Sequence, residues 1–210
     1  MGVKFILGKK LEMSQVFDDK GNVIPVTLIS VGPCYVLQKK TKDKDGYDAL
    51  QIGFVKIEKK NKIKKSMRGK EYRYIKEFSI INGPGPAGTP EGCLSKNVGD
   101  EVNVSEFKEG DEVNISGISK GKGFQGGVKK HGFSGRNASH GMKHEARTIG
   151  SVGQRFPQHV IKGRKMPGRM GYERVTVKNL KIARIDAENN VLAVKGAVPG
   201  HRGTLLEIRG

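Results

Sequence analysis

Residues 113–126 have the sequence VNISGISKGKGFQG, in which a strand-like pattern is followed by a pattern rich in glycine and lysine. Residues 113–118 alternate apolar and small or polar side chains, as a strand does. The glycines and lysines after them begin a basic, glycine-rich stretch that runs to residue 174. Strand patterns resume at Val175, so the sequence predicts a β-structure into which residues 117–174, here called the basic segment, are inserted.

The rest of the chain consists of short apolar runs separated by Gly, Asp and Asn turns. The predicted strands cover residues 3–7, 15–17, 23–31, 34–38, 47–57, 102–104, 113–118, 175–185, 191–194 and 205–208. Pro25 predicts an edge or bulge position within its strand. No long stretch has the 3.6-residue period of a helix. The sequence therefore predicts a mainly β protein with a closed or nearly closed barrel, formed by residues 1–116 and 175–210.

Charge is concentrated in two parts of the chain. In total, 39 Lys and Arg face 21 Asp and Glu, a formal net charge of +18. Residues 117–174 contain 13 basic residues, two acidic residues and 13 glycines, and residues 56–76 contain ten basic and two acidic residues. The remainder is close to neutral. The basic segment has no periodic apolar residues with which to order itself, so we expect it to order on a polyanion, with nucleic acid favoured over an anionic membrane.

Several protein classes do not fit this composition. No stretch approaches the roughly 18 apolar residues of a membrane span. The apolar run near the N-terminus is too short for a secretory signal. Cys34 and Cys93 are far apart and form no CxxC motif, which argues against a disulfide scaffold or a zinc module and favours a reducing, cytosolic setting.

Residues 121–126 match the GxGxxG pattern of dinucleotide-binding loops. However, residues 126–132 are poor helix formers, and Glu145 does not end a second strand, as the acidic residue of such a site should. We therefore interpret the glycines as allowing the backbone to approach phosphates, with Lys120 and Lys122 supplying charge. A nucleotide-dependent enzyme remains an alternative, as does a free-standing RNA chaperone.

Histidines are concentrated in the basic segment. Four of the five lie there: His131, His140, His144 and His159. The spacing of His140 and His144 suits two metal ligands on one helical face, but no third ligand is evident. We favour imidazoles that stack on bases or bond to phosphates.

Aromatic residues alternate with the cations of the basic segment. They are Phe124, Phe133, Phe156 and Tyr172. Such rings can stack on unpaired bases or pack in small local clusters. Packing is favoured for Phe124 and Tyr172. The segment has neither a GxSxG nucleophile motif nor a carboxylate pair, so we expect no enzymatic activity.

The stretch from Gly117 to Gly126, with Phe107 and Asn114 before it, resembles the signature of the ribosomal protein L3 family in its bacterial type. Further likeness follows in the family's order at residues 8–17, 45–51, 139–141, 150–153, 162–171 and 195–200. Departures include Glu12 in place of a glycine and Lys130 in place of an arginine.

The resemblance implies a translation-protein-type β-barrel with a long extension through large-subunit rRNA. It further implies a structural, cofactor-free protein that binds rRNA early in assembly and extends towards the peptidyl transferase centre. Its setting would be the cytoplasmic ribosome, with neighbouring ribosomal proteins as partners. Some members carry a methylated glutamine near the position of Gln154, which makes Gln154 a candidate for modification.

The expected rRNA-binding residues are cations, histidines, aromatics and one glutamine. Those in the basic segment are Lys120, Lys122, Phe124, Lys129, Lys130, His131, Arg136, His140, Lys143, His144, Arg147, Gln154, Arg155, Phe156, Lys162, Arg164, Lys165, Arg169 and Arg174. A second, shorter insertion, the basic loop at residues 58–73, adds cations. Those are Lys59, Lys60, Lys62, Lys64, Lys65 and Arg68.

Overall fold

The computed structural model describes residues 4–18, 20–59, 63–79 and 96–210. Within them the chain is mainly β, as predicted. The strands are β1 (Phe5–Phe17), β2 (Val23–Val31), β3 (Cys34–Lys40), β4 (Ala49–Lys56), β5 (Tyr72–Ser79), β6 (Glu101–Val102), β7 (Glu112–Ile118), β8 (Phe124–Gln125), β9 (Gly168–Arg169), β10 (Arg174–Asp186), β11 (Val191–Lys195) and β12 (Leu205–Arg209). The helices are α1 (Lys42–Asp45), α2 (Gly127–His131) and two 3₁₀ turns, Lys65–Met67 and Val104–Glu106. None of the helices in these ranges has the length and apolar character needed to cross a membrane.

Six strands pair in the closed cyclic order β1-β12-β7-β10-β11-β2, here called the ring. All of its pairings are antiparallel. Ile208 of β12 lies opposite Ile6 on one side and Ile115 on the other, and all three side chains are fully buried. Each strand thus bonds to two neighbours over part of its length, which removes the free edges of an open sheet there.

A separate four-stranded sheet has the order β5-β4-β3-β6. Three of its strands come from runs that the sequence assigned to the barrel, and β5 begins inside the predicted basic loop. Strand β5 is Tyr-Arg-Tyr-Ile-Lys-Glu-Phe-Ser, and only Phe78 within it is fully buried. This strand was not predicted, because its exposed cations made the sequence resemble a charged loop.

One hydrophobic core serves both sheets. Ile6, Ile29 and Leu192 of the ring and Leu50 and Ile52 of the second sheet belong to one cluster of fully buried side chains. Burial of each such side chain is worth roughly 1.5–3 kcal/mol. The core is therefore the main source of stability for the β-structure.

The first hairpin differs in length from its prediction. Strand β1 is a single strand of 13 residues that merges the two predicted short runs, with an irregularity between Lys10 and Met13 in its pairing with β2. The predicted turn is present, since the Asp18 N–H donates to the Asn22 carbonyl at 2.9 Å. Pro25 lies beyond Val26, the last β2 residue paired with β11, so it needs no amide hydrogen for that ladder.

The chain divides into two compact units. The first unit is Met1–Ile118 with Arg174–Gly210, and the second unit is Ser119–Glu173. The predicted insertion spans residues 117–174. The second unit contains β8, β9 and α2. All of its residues lie within the described ranges, and no apolar side chain among them is fully buried.

Helix α2 forms where the sequence indicated poor helix formers. Gly126 precedes it in an extended conformation, and Gly132 ends it with a left-handed φ of 72° while its N–H donates to the Val128 carbonyl. A glycine in the left-handed conformation is the common way to end a helix. These poor helix formers thus do form a helix, but α2 has only five residues.

Candidate nucleic-acid interface

A short antiparallel ladder joins the two ends of the second unit. The Ser119 N–H donates to the Glu173 carbonyl at 2.9 Å. The Lys122 N–H donates to the Met170 carbonyl, and the Met170 N–H to the Gly123 carbonyl, both at 2.9 Å. The GxGxxG stretch therefore lies in paired backbone and ends at Gly126, directly before α2. It follows β7, but it does not open the long helix of a dinucleotide-binding site, because α2 has only five residues.

Two glycines of the second unit allow segments of its backbone that are distant in sequence to lie close together. Gly171 has a φ of 76°, and a Cβ there would lie 2.1 Å from the Lys120 carbonyl oxygen. Gly135 has a φ of 73°, and a Cβ there would lie 2.3 Å from the Ala146 carbonyl oxygen. These two glycines serve the fold of the unit. Gly126, in contrast, has open space where a Cβ would be, so its backbone is accessible to a ligand.

Nearly all cations of the second unit face solvent, and only one of them has a protein counter-charge among the described residues. All of its predicted rRNA-binding residues are exposed except Lys130 and His131, which are half-buried. Arg136 pairs with Glu145, the one ion pair in this unit among the described residues. The other seven ion pairs of the described chain lie within the first unit. The positive charge of the second unit is therefore available to an anionic partner.

Arg174 differs from the other predicted contacts. It lies in the first unit, and its guanidinium pairs with Glu207. The Lys76 ammonium also contacts Glu207, at 3.2 Å. One carboxylate thus already offsets part of the charge of Arg174.

Three lysines share one cleft near the ladder. Lys120, Lys122 and Lys130 line a space of about 550 Å³ together with His131 and Glu173. The His131 Nε2 lies 3.0 Å from the Met166 carbonyl oxygen. His131 thus connects α2 to the returning chain, while the three ammonium groups can bind phosphate oxygens.

Three aromatic rings of the second unit are exposed. The exposed fractions are 77% for Phe124, 65% for Phe156 and 65% for Tyr172. The prediction that Phe124 and Tyr172 pack locally is wrong, because this unit has no apolar core to receive them. The Arg169 guanidinium lies 5.1 Å from the Tyr172 ring centre. Exposed rings beside cations suit stacking on unpaired bases.

The remaining histidines do not form a helical pair. His140 has a φ of 61° and lies in a turn, and His144 lies in a bend. Both are exposed, as is His159. The described residues contain no group of three or more His, Cys, Asp or Glu placed to hold a metal ion.

Gln154 lies in an irregular stretch of the second unit. It is exposed and lines a cleft of about 470 Å³ with Arg155 and His159. The Arg164 guanidinium donates to the Ser151 carbonyl at 3.0 Å beside this cleft. The Gln154 side chain is therefore accessible.

The basic loop presents a second set of cations. Lys59, Lys64, Lys65 and Arg68 are exposed. Lys60 and Lys62 lie outside the described residues.

A polar network that sequence reasoning missed attaches the returning end of this loop to the second sheet. The Lys70 ammonium donates to the side-chain carbonyls of Gln38 and Gln51, at 2.5 Å each. The Gln51 amide then donates to Glu77 at 3.0 Å. Hydrogen bonding to Lys40 holds the pKa of Glu77 below its usual value. No local signal identifies this network, since its members meet only through the pairing of β3, β4 and β5.

Comparison with known proteins identifies relatives along nearly the whole chain. The family description "Ribosomal protein L3" matches residues 94–190. The Large ribosomal subunit protein uL3 of Thermosipho africanus is 49% identical over 99% of this chain and 98% of its own. The proteins of that name from Desulfitobacterium hafniense and Carboxydothermus hydrogenoformans are 46% and 45% identical. Each match covers 98% of this chain, and 95% and 96% of the relative, respectively.

Proposed function

Since the chain belongs to the ribosomal protein L3 family, we propose that it is a structural protein of the large ribosomal subunit that binds rRNA. The observation that supports RNA binding is the exposed charge of the second unit. Among the described cations of that unit, only Arg136 pairs with a carboxylate. Membership in this family confirms the prediction that the chain is not an enzyme.

In this proposal, the second unit binds RNA mainly by contacting the RNA phosphates. Its lysines and arginines replace the counterions of the RNA, and the release of those ions favours binding. Phe124, Phe156 and Tyr172 add stacking on unpaired bases, which the 65–77% exposure of their rings supports. The exposed cations of the basic loop form a second contact with the same RNA.

Family resemblance extends the proposal to the setting of the protein. The ring is the translation-protein-type barrel, and the second unit is the extension that runs through rRNA towards the peptidyl transferase centre. The protein binds early in assembly, in the cytoplasm, beside other proteins of the subunit. Gln154 is the candidate for methylation, and its exposed side chain supports this assignment.

Salt-dependent binding to large-subunit rRNA tests the proposal. If 6–10 cations contact phosphates, affinity should fall by about 10³–10⁵ between 50 and 200 mM salt. Replacing Lys120, Lys122 and Lys129 by Gln should reduce the slope of log K against log salt by about 0.7–0.9 for each phosphate that is no longer neutralised. Lys178→Gln, at an exposed position of the first unit, is the control and should leave the slope unchanged.

Co-sedimentation completes the test. The protein should remain with large subunits through a low-salt wash. Its absence from washed subunits, or RNA binding that does not respond to salt, would contradict the proposal. A protein found mostly off ribosomes but bound to RNA would indicate a free-standing RNA chaperone instead.

A further inference from the structure

Residues 136–147 of the second unit form a loop whose two ends meet, here called the histidine loop because it contains exposed histidines. The Arg136 N–H donates to the Ala146 carbonyl at 3.0 Å. Just beyond the loop, the Thr148 N–H and hydroxyl both donate to the Glu145 carbonyl, at 3.1 and 3.0 Å. Compact surface loops with closely spaced ends are frequently functional. The cations and imidazoles of this loop are therefore presented by a defined piece of backbone.

A small apolar contact lies beside the joined ends. Gly127 of α2 is buried, and a Cβ there would lie 2.4 Å from the Ile149 side chain and 3.0 Å from the Phe133 ring. Phe133 precedes the histidine loop and Ile149 follows it, so α2 packs against both of its flanks. Both side chains are only half-buried, so this contact is too small to hold the loop closed by itself. The groups that join the two ends therefore decide how often the loop is closed.

The two acidic residues of the second unit are used differently. Glu173 lines the cleft of the three lysines and takes part in none of the ion pairs of the described residues. Glu145 accepts a hydrogen bond from the Nη1 of Arg136, at the opposite end of the histidine loop. A carboxylate within a phosphate-binding surface repels phosphates and should weaken RNA binding. We expect this of Glu173, but Glu145 also connects the two ends of its loop.

Pairing with Glu145 leaves Arg136 able to bind a phosphate. A guanidinium has five N–H donors in a planar fork, and the pair involves only Nη1. The Arg136 side chain is 52% exposed, so its remaining donors are accessible to RNA. A side chain that is already held in one orientation loses less conformational entropy when it binds. The Glu145 carboxylate can therefore orient Arg136 for a phosphate.

We propose that Glu145 is a positioning residue for RNA binding: it orients Arg136 and favours the closed form of the histidine loop, which contacts phosphates. The inference rests on the proposed function, because the ligand is the same rRNA. It gives an acidic side chain a favourable role within a cationic surface. The pair is exposed, so it shifts the population of the closed loop without making the loop rigid.

Charge-neutralising variants of the two acidic residues test this inference, because they should change affinity in opposite directions. Large-subunit rRNA is titrated with the full chain as wild type, as Glu145→Gln and as Glu173→Gln. Glu145→Gln should bind about threefold or more weakly, although it removes a negative charge, because exposed ion pairs contribute effects of this size. The slope of log K against log salt should fall by up to about 0.7–0.9, the contribution of one phosphate contact. Glu173→Gln removes the same charge without opening a loop and should bind more tightly than wild type.

A second pair of variants shows whether Glu145 acts through Arg136. In an Arg136→Gln background, Glu145→Gln should no longer weaken binding, because no guanidinium remains to be oriented. All of these variants alter exposed side chains, so they should unfold at the wild-type temperature. Two results would overturn the inference: Glu145→Gln binding as tightly as wild type or more tightly, or a loss of the same size in both backgrounds. Wild-type binding that does not respond to salt would instead refute the proposed function, which separates the two failures.

Discussion

At the scale of single residues, Gly171 and Gly126 show two uses of glycine in the second unit. Gly171 has a left-handed φ and close backbone neighbours, whereas Gly126 has a φ of −70° and open space around it. An alanine at position 171 would meet both a steric clash and conformational strain. An alanine at position 126 would meet neither.

Gly171→Ala should therefore weaken the ladder at the base of the second unit. Strain of about 1–3 kcal/mol would reduce hydrogen-exchange protection of the Lys122 and Met170 amides by about tenfold or more. Gly126→Ala is the control and should leave both amides protected as in wild type. Equal protection in the two variants would show that the close approach at Gly171 does not hold the ladder together.

Cys34 should make the stability of the protein depend on alkaline pH. Burial raises the pKa of its thiol from 9.0 to about 11. The unfolded chain therefore loses this proton from about pH 9, while the folded chain keeps it. The free energy of unfolding should fall as pH rises from 9 to 11, by up to about 1.4 kcal/mol per pH unit.

Urea unfolding at several pH values measures this dependence. Cys34→Ala should be less stable overall because it leaves a cavity, but its stability should change less between pH 9 and pH 11. Parallel curves for the variant and wild type would exclude Cys34 as the cause.

At the scale of elements, the network between Lys70 and Glu77 explains how a highly charged loop is attached. Lys70 forms two hydrogen bonds with the second sheet, and the Gln51 amide in turn donates a hydrogen bond to Glu77 on β5. Hydrogen bonds to a charged group contribute more to stability than bonds between neutral groups. The network therefore fixes the returning end of the basic loop.

Removing both acceptors of Lys70 should release the loop. In the double variant Gln38→Leu and Gln51→Leu, trypsin should cleave at Lys64, Lys65 and Arg68 about tenfold faster, since local opening becomes easier. Gln158→Leu, at an exposed position of the second unit, is the control and should not alter cleavage in this loop. Unchanged cleavage of the double variant would mean that other contacts hold the loop.

At the scale of the whole molecule, the two units differ in what can stabilise them. The first unit contains the buried core and seven of the eight described ion pairs. The second unit has exposed cations and no fully buried apolar side chain among its residues, all of which are described. Stability should therefore come from the first unit and RNA affinity from the second.

Removing most of the second unit should separate these properties. Gln125 pairs with Gly168, so an Asn-Gly dipeptide in place of residues 126–167 would close a two-residue hairpin. The shortened protein should change in Tm by less than about 4 °C, the shift that 1 kcal/mol gives at this size. Because nine basic residues are removed, rRNA affinity and its salt dependence should both fall. Aggregation or a large loss of Tm would show that the second unit supports the core.

The free protein should also show uneven protection in hydrogen exchange. Amides at residues 125–165 should exchange rapidly, because few apolar contacts restrain them, while the ring strands stay protected. Binding to rRNA should slow exchange in this stretch. Strong protection throughout the free protein would contradict the expectation that this stretch orders on its polyanionic partner.

Sequence patterns predicted the β class and indicated where paired strands stop and resume, because burial imposes apolar alternation on both sides of the insertion. They did not show that the strands form two sheets, since alternation reports burial and not the identity of the neighbouring strand. Strand β5 was not predicted, because its exposed cations, Arg73 and Lys76, made it resemble part of a charged loop. The exposure of Phe124 and Tyr172 was mispredicted because it depends on the absence of a core around them, which no local pattern reveals.

The position of β12 in the ring bears on how the protein is made. This strand, Leu205–Arg209, lies between β1 and β7 and supplies Leu206 and Ile208 to the core. During synthesis, the ring cannot close until those residues have emerged, about 200 residues after β1. The cations of the second unit emerge earlier, while the β-structure is still incomplete. If these cations bind rRNA as proposed, a nascent chain exposes them before its fold is finished and would need protection from unintended RNA during that interval.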